Sequence, residues 1–309
     1  MSVSMRDAFG ARLAELGKTR PELAVLDADV SSSTKSGVFG KAFPERFFNC
    51  GVAEGNMAGV AAGLAAAGYR PVVNAFAIFL ALKATDQIRN AICYNKLPVV
   101  LAGAYGGLSD SFDGASHQSI CDIAIMRALP NMEVIVPADS GQAEQALEYA
   151  LSQDGPVYIR LNRNAMPDLP RSAGFGGRGA LKLREGKDIT IAANGVTAAM
   201  AMDAAALLAS ESGIDAEVLS IPFVKPFDSE GLAASVRKTR RLLSVEEHSV
   251  VGGFGSACTD ALARLGVAYA YDAAGIEDTF TETGPYEELL AAYGLSAAAL
   301  AARAVALRA

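Results

Sequence analysis

Short, uninterrupted apolar runs alternate along this chain with longer segments of helical character, and the alternation restarts once after a break. The runs Glu22–Leu26, Pro71–Phe76, Val99–Ala104, Val134–Val136 and Val157–Leu161 lack the period-two pattern of a half-exposed strand. Runs of this kind suit strands buried on both faces of a parallel sheet. Helical segments separate them: Met5–Leu16, Glu54–Ala67, Lys83–Tyr94, Gln118–Ala128 and Gly141–Leu151. Asp139-Ser140 before the last reads as an N-cap. The stretch from Pro167 to Gly179 is rich in Pro and Gly and has no periodicity, so it reads as a linker.

The alternation then resumes with strand Ile189–Ala193, helix Thr197–Ala209, strand Ala216–Ser220, helix Ser229–Val236, strand Arg241–Val245 and helix Ser256–Leu265, followed by two C-terminal helical pieces. The expected fold is two tandem three-layer α/β domains with mostly parallel sheets, residues 1–168 and 183–309, joined by a linker over 169–182. Ligands in such folds sit outside the carboxyl ends of the strands.

Charge and composition narrow the function classes. A net charge of −7 argues against nucleic-acid or anionic-membrane partners. The start, Met1 to Asp7, lacks the layout of a signal peptide, and no uncharged apolar run reaches the ~18 residues of a membrane span. Cys50, Cys93, Cys121 and Cys258 form no C-x-x-C pair and no cluster with histidine, so they read as free thiols of a reducing, cytoplasmic compartment.

Candidate chemistry is sparse. The two histidines are His117 and His248. His117 follows the Gly-rich loop Gly106-Gly107-Leu108-Ser109-Asp110, past the run Val99–Ala104, where an active-site loop belongs. Capping of the next helix is the competing role. His248, in Glu246-Glu247-His248-Ser249, sits just past a strand, where packing or an interface is at least as good a reading as metal binding or catalysis. Glu54 opens an Ala- and Gly-rich helix in almost wholly apolar surroundings. The helix dipole accounts for a carboxylate there. A buried one also needs a partner, and a ligand nitrogen would serve. Gly252-Gly253-Phe254-Gly255-Ser256 offers either a phosphate site at a helix start or tight packing. Gly17-Lys18-Thr19 ends like a P-loop, but the glycine required upstream is Arg12.

Taken together, the segment from Phe43 to Met57, Ala61-Ala62-Gly63-Leu64-Ala65, Asp113-Gly114-Ala115-Ser116-His117-Gln118, Leu129-Pro130-Asn131-Met132 and Val136-Pro137-Ala138-Asp139 closely resemble the pyrimidine-binding domain of transketolases. Val245 to Ser256 resembles the C-terminal domain of the same family. The resemblance runs in order from about Asp7 to the C-terminus. It implies a thiamine-diphosphate enzyme that moves a two-carbon ketol unit from a ketose or ketose phosphate to an aldose.

Family enzymes hold the cofactor's diphosphate and Mg²⁺ through a Gly-Asp-Gly motif and a later Asn in a further N-terminal domain; this sequence has no Gly-Asp-Gly. The resemblance therefore implies a separate diphosphate-binding partner subunit, a cofactor held between subunits, and an α₂β₂ assembly.

Residue by residue, Glu54 matches the glutamate that bonds N1′ of the aminopyrimidine. Phe76 and Phe79 match the aromatic residues around that ring, and Asp29 a position near the thiazolium. His117 resembles the histidine facing substrate oxygens. Asp113 resembles the aspartate on a donor hydroxyl, and Arg163 the arginine that grips a sugar phosphate, with Arg160 as a competing choice. Tyr105 stands where many transketolases carry a second phosphate-gripping histidine, which points to a modified or branched ketose. The β subunit of a 2-oxoacid dehydrogenase and a non-catalytic subunit of the same fold are the alternatives. A deoxyxylulose-phosphate synthase fits less well because that enzyme is normally one chain.

Overall fold

The computed structural model describes residues 3–169 and 178–308. Two sheets organise the chain. The first combines β1 (Leu23–Asp27), β2 (Phe47–Asn49), β3 (Arg70–Phe76), β4 (Val100–Ala104), β5 (Glu133–Ile135) and β6 (Val157–Arg160). The second combines β7 (Leu181–Arg184), β8 (Ile189–Ala193), β9 (Ala216–Ser220), β11 (Arg241–Ser249) and β12 (Ala270–Ile276). The short strand β10 (Phe223–Lys225) comes from the second half of the chain but joins the first sheet, antiparallel to β5. Strand order is β10-β5-β6-β4-β3-β1-β2 in one sheet and β12-β11-β8-β9-β7 in the other. Among the described residues, only the edge strands β10 and β7 run antiparallel to their neighbours. The expected α/β class with mostly parallel sheets is therefore what the chain adopts.

Fully buried strands carry the pattern that identified them: every residue of β1, β4, β6, β8 and β9 is buried. Asp139 caps its helix as read, its carboxylate accepting from the Gln142 amide at 2.8 Å.

Several boundaries differ for physical reasons. The expected helix Lys83–Tyr94 is the end of one helix, Ala77–Lys83, followed by Thr85–Gln87 and a widened turn over Ile88–Cys93. The expected helix Gln118–Ala128 begins only at Asp122. Ser119 instead exchanges backbone bonds with Gly107, and the Gln118 side chain donates to Ser111 O and Glu282 O. β11 runs on through Glu246, Glu247 and His248, because each of those polar side chains finds a buried partner.

β2, β7, β10 and β12 carried no signal long enough to read. β7 starts inside the stretch read as linker, of which residues 170–177 lie outside the described residues. The apolar stretch Tyr286–Arg308 is long enough to cross a bilayer by length and composition. It is split into the helices Tyr286–Ala292 and Ala297–Arg308, with Gly294 at φ 74° between them.

Candidate functional site

The functional side chains converge on the carboxyl edge of the first sheet. β1, β3, β4 and β6 are adjacent there, and each ends in a candidate residue or a turn that carries one. β3 ends at Phe76, and the helix that follows carries Phe79 and Lys83. β4 leads into Tyr105, β6 into Arg163.

Glu54 is the first residue of the helix Glu54–Ala66 and is 4% exposed. Among the described residues, Lys83 supplies its side-chain partner, with Nζ 3.5 Å from Oε1. The Lys83 ammonium also lies 4.0 Å from the centre of the Phe79 ring. Phe79 stacks near Phe76 with centroids 6.0 Å apart, and His117 meets both rings edge-on, at 5.2 Å from Phe79 and 6.1 Å from Phe76. Phe76, Phe79 and His117 are each half-buried, so the aromatic wall keeps an accessible side. His117 Nδ1 bonds the Ser116 hydroxyl at 2.9 Å. The helix-capping alternative does not hold, since the next helix is preceded by Cys121.

Tyr105 closes the wall at 4.6 Å from Phe76, with its backbone in the left-handed region at φ 62°. Such a conformation costs a non-glycine residue about 1 kcal/mol or more and is held by surrounding contacts. Here the contacts are two arginines. Arg6 donates to the Tyr105 hydroxyl at 2.6 Å, and the Arg163 guanidinium sits 5.1 Å from the ring centre. Arg163 also donates to Asp110 at 3.2 Å. Burial, then the neighbouring Asp113, pushes the Asp110 carboxyl up to about 6, against the pull of Arg163 and His117. Asp113 itself is exposed.

Asp29 occupies another part of the same edge. It is exposed, at φ 64°, and accepts from Asn49 at 2.8 Å. Its turn is fixed from beneath by buried Asp27, which accepts from the Val30 amide and from the Thr34 and Ser36 hydroxyls.

Arg160 has a different place. It is 5% exposed, pairs with fully buried Asp122 at 2.9 Å and donates to the carbonyls of Ser119 and Glu247. Burial opposes ionisation of Asp122, but Arg160 and then His248 and Tyr158 outweigh it and hold its carboxyl below the usual range. Arg160 thus ties the two halves together, whereas the Arg163 side chain is 36% exposed.

His248 lies within β11 rather than past it, fully buried, and its Nε2 accepts from the Ala124 amide of the other half at 3.4 Å. The interface reading is the one its position fits. Glu246 caps the helix Phe254–Arg264, accepting from the Phe254 and Gly255 amides. The glycine-rich turn before that helix is therefore filled by the chain's own carboxylate and by tight packing: a Cβ on Gly253 would stand 2.1 Å from Glu246 Oε2.

Glu247 reaches the opposite way. It accepts from the Leu108 amide, the Tyr286 hydroxyl and Asn162, and so anchors the loop that leads to His117. Gly114 in that loop has φ 74°, and a Cβ there would lie 2.4 Å from Thr283 Oγ1. The loop is held against the second half of the chain along its length.

Three residues of the cluster were missed. Arg6 sits far away in sequence, with no local motif. Asp110 belongs to the Gly-rich loop, where a lone charge is a usable signal. Lys83, expected at a helix start, ends the helix Ala77–Lys83 and faces Glu54.

The pyrimidine-binding domain of transketolase matches residues 1–168, and the transketolase C-terminal domain matches residues 178–300. A putative transketolase C-terminal section from Methanocaldococcus jannaschii is 40% identical over 304 residues, covering 97% of this chain and 94% of that protein. A 6-deoxy-6-sulfo-D-fructose transketolase subunit from a Clostridium species is 38% identical, covering 95% and 91%. A 1-deoxy-D-xylulose-5-phosphate synthase from Desulforudis audaxviator is 37% identical, and there this chain spans 46% of the relative. Among solved structures, a split-gene transketolase described as an inactive β4 tetramer superposes with TM-score 0.91 at 44% identity, covering 99% of this chain and 98% of that one.

Proposed function

The chain belongs to the transketolase family and corresponds to its C-terminal part, and from that premise we propose that it works as the C-terminal subunit of a two-subunit transketolase. The reaction is transfer of a two-carbon ketol unit from a ketose or ketose phosphate to an aldose. The observation that carries this reading is Glu54, a buried carboxylate beside the open aromatic wall of Phe76 and Phe79.

The residues present fit the aminopyrimidine end of thiamine diphosphate. A flat heteroaromatic ring suits the Phe76–Phe79 wall. A ring nitrogen suits a carboxylate whose side-chain partner is a half-exposed lysine. When bound, the cofactor supplies the carbanion chemistry. Glu54 would orient the ring and hold a proton at its nitrogen, in surroundings where little water competes. His117 would move a proton to or from substrate oxygens. Asp113 would take a donor hydroxyl, and Asp29 would stand near the thiazolium. Arg163 would hold the far end of the sugar through its guanidinium, beside Tyr105.

Mg²⁺ and the diphosphate would be held by the N-terminal partner subunit. Two such pairs would make an α₂β₂ assembly. The division into a pyrimidine-binding domain over 1–168 and a C-terminal domain over 183–309 belongs to the same reading. The relatives of nearly the same length favour a separate partner over the single-chain deoxyxylulose-phosphate synthase. The sulfofructose transketolase subunit among them supports a modified ketose as the substrate.

The test is calorimetry with thiamine diphosphate and Mg²⁺ on this chain alone and on this chain with its N-terminal subunit. Tight binding only with the partner is expected. Tight, metal-dependent binding by the chain alone would overturn the two-subunit reading.

A further inference from the structure

A cleft of about 440 Å³ opens in the seam between the two halves and shares no residue with the site above. Arg127 comes to it from the helix Asp122–Ala128 of the first half. Lys225 comes from β10, and Arg264 from the last turn of the helix Phe254–Arg264. Ala257, Ala261 and Arg264 recur at i, i+4 and i+7, so one face of that helix supplies a floor of small side chains with a cation at its end. Half-buried Phe227 adds an aromatic wall.

The positive charge here is poorly compensated. Lys225 Nζ donates to Arg127 O at 3.0 Å and to Leu129 O at 2.5 Å, which leaves one N–H over. No carboxylate pairs with this ammonium among the described residues. Burial and the Arg127 charge lower its pKa, and the opposing Cys93 thiol, pushed up to about 11, is neutral at pH 7. Arg264 is exposed and has no hydrogen bond or ion pair among the described residues. A helix dipole accounts for one cation in a last turn, but not for three that meet at one cleft. Arg127 donates to Gly252 O and to Asp260. Asp260 is the one acidic residue of the lining, and its side chain is 63% exposed, so water and salt screen it. Asp228 and Glu230 flank the lining residue Ser229 but are engaged elsewhere. Asp228 accepts from the Ala180 and Gly231 amides, and Glu230 pairs with Arg237.

We propose that this cleft is a second ligand site, built for a small phosphomonoester and separate from the place where the ketose reacts. Guanidiniums suit the oxygens of a phosphoryl group, and the spare Lys225 N–H adds a third donor. Phe227 and the alanine floor face the apolar or ring portion of the same molecule. The volume lies within the range of small-molecule pockets. A ligand here touches Arg127 of one half and Arg264 of the other, so its binding stabilises their junction by mass action. The site stands independently of the ketol transfer proposed above.

The experiment is calorimetry on the full chain at low ionic strength, with phenyl phosphate as the probe. Saturable binding with a dissociation constant below about 1 mM is expected. Arg264→Glu is expected to weaken it on the order of tenfold or more. Ser229→Asp places a carboxylate on the lining at a helix start, where the dipole favours one, and is expected to act in the same direction. Arg163→Gln is expected to leave this binding in place. No saturable binding up to about 10 mM overturns the proposal. So does binding that neither Arg264→Glu nor Ser229→Asp weakens. Binding lost in Arg163→Gln also overturns it, because the probe would then occupy the ketose site.

Discussion

Glu54 and Lys83 face each other at 3.5 Å, and the same ammonium covers the Phe79 ring at 4.0 Å. A cation thus rests on both groups assigned here to an aminopyrimidine. It has to move aside for a ring to stack on Phe79 and bond Glu54. The Lys83 side chain is 47% exposed, so the ion pair is weak and displacing it costs little. Lys83→Met is expected to tighten thiamine diphosphate binding by the reconstituted enzyme about threefold, with a reduced dependence on salt. Calorimetry at two ionic strengths checks this, and weaker binding would speak against it.

Arg160, the last residue of β6, and Arg163, three residues on, should respond differently to substitution. Removing Arg160 leaves Asp122 buried and unpaired. Arg160→Met is expected to cost about 3–5 kcal/mol of stability, measured by denaturant unfolding. Arg163→Gln strips buried Asp110 of its ion pair too, but that carboxyl, already pushed up to about 6, can take up a proton, so a smaller loss of about 1–2 kcal/mol is expected, with a raised KM for anionic ketoses. The reverse pattern would exchange their assigned roles.

Glu247 gives stability a pH signature. Burial pushes its carboxyl up to about 7, against the pull of Arg160 and its hydrogen bonds from Leu108, Tyr286 and Asn162. The folded chain therefore holds this proton more tightly than the unfolded chain, whose value is near 4.5. The stability tied to that proton is fully present below about 4.5 and is lost as pH rises through about 7. Relative to Glu247→Gln, the wild-type chain is expected to lose about 2–3 kcal/mol between pH 5 and pH 8. Parallel unfolding curves of the two proteins over that range would contradict it.

Gly114 tests the anchoring of the loop that carries His117. Gly114→Ala forces a Cβ to within 2.4 Å of Thr283 Oγ1 and strains a backbone at φ 74°. The expected loss is about 1–3 kcal/mol, with faster proteolysis between Leu108 and His117. An unchanged cleavage rate would mean the loop is held by other contacts.

The buried strands were legible because parallel strands covered on both faces must be apolar throughout, and β1, β4, β6, β8 and β9 are. Edge strands were not. β2 and β10 have three residues each and take their form from the neighbour they pair with. Glu54 and His117 could be picked out by chemical oddity, a carboxylate in an apolar helix and one of two histidines. Arg6 could not. Its contact with Tyr105 spans 99 positions and exists only once the chain has folded. The same holds for Glu247, whose partners Leu108, Asn162 and Tyr286 lie 139, 85 and 39 positions away.

In the reaction proposed here, Glu54 serves a cofactor-dependent ketol transfer shared with a partner subunit. The most direct measurement is turnover of hydroxypyruvate by the reconstituted enzyme carrying Glu54→Ala, with assembly followed by sedimentation. An intact assembly and a rate below about one per cent of wild type are expected. An intact assembly that keeps its rate within about threefold would contradict it.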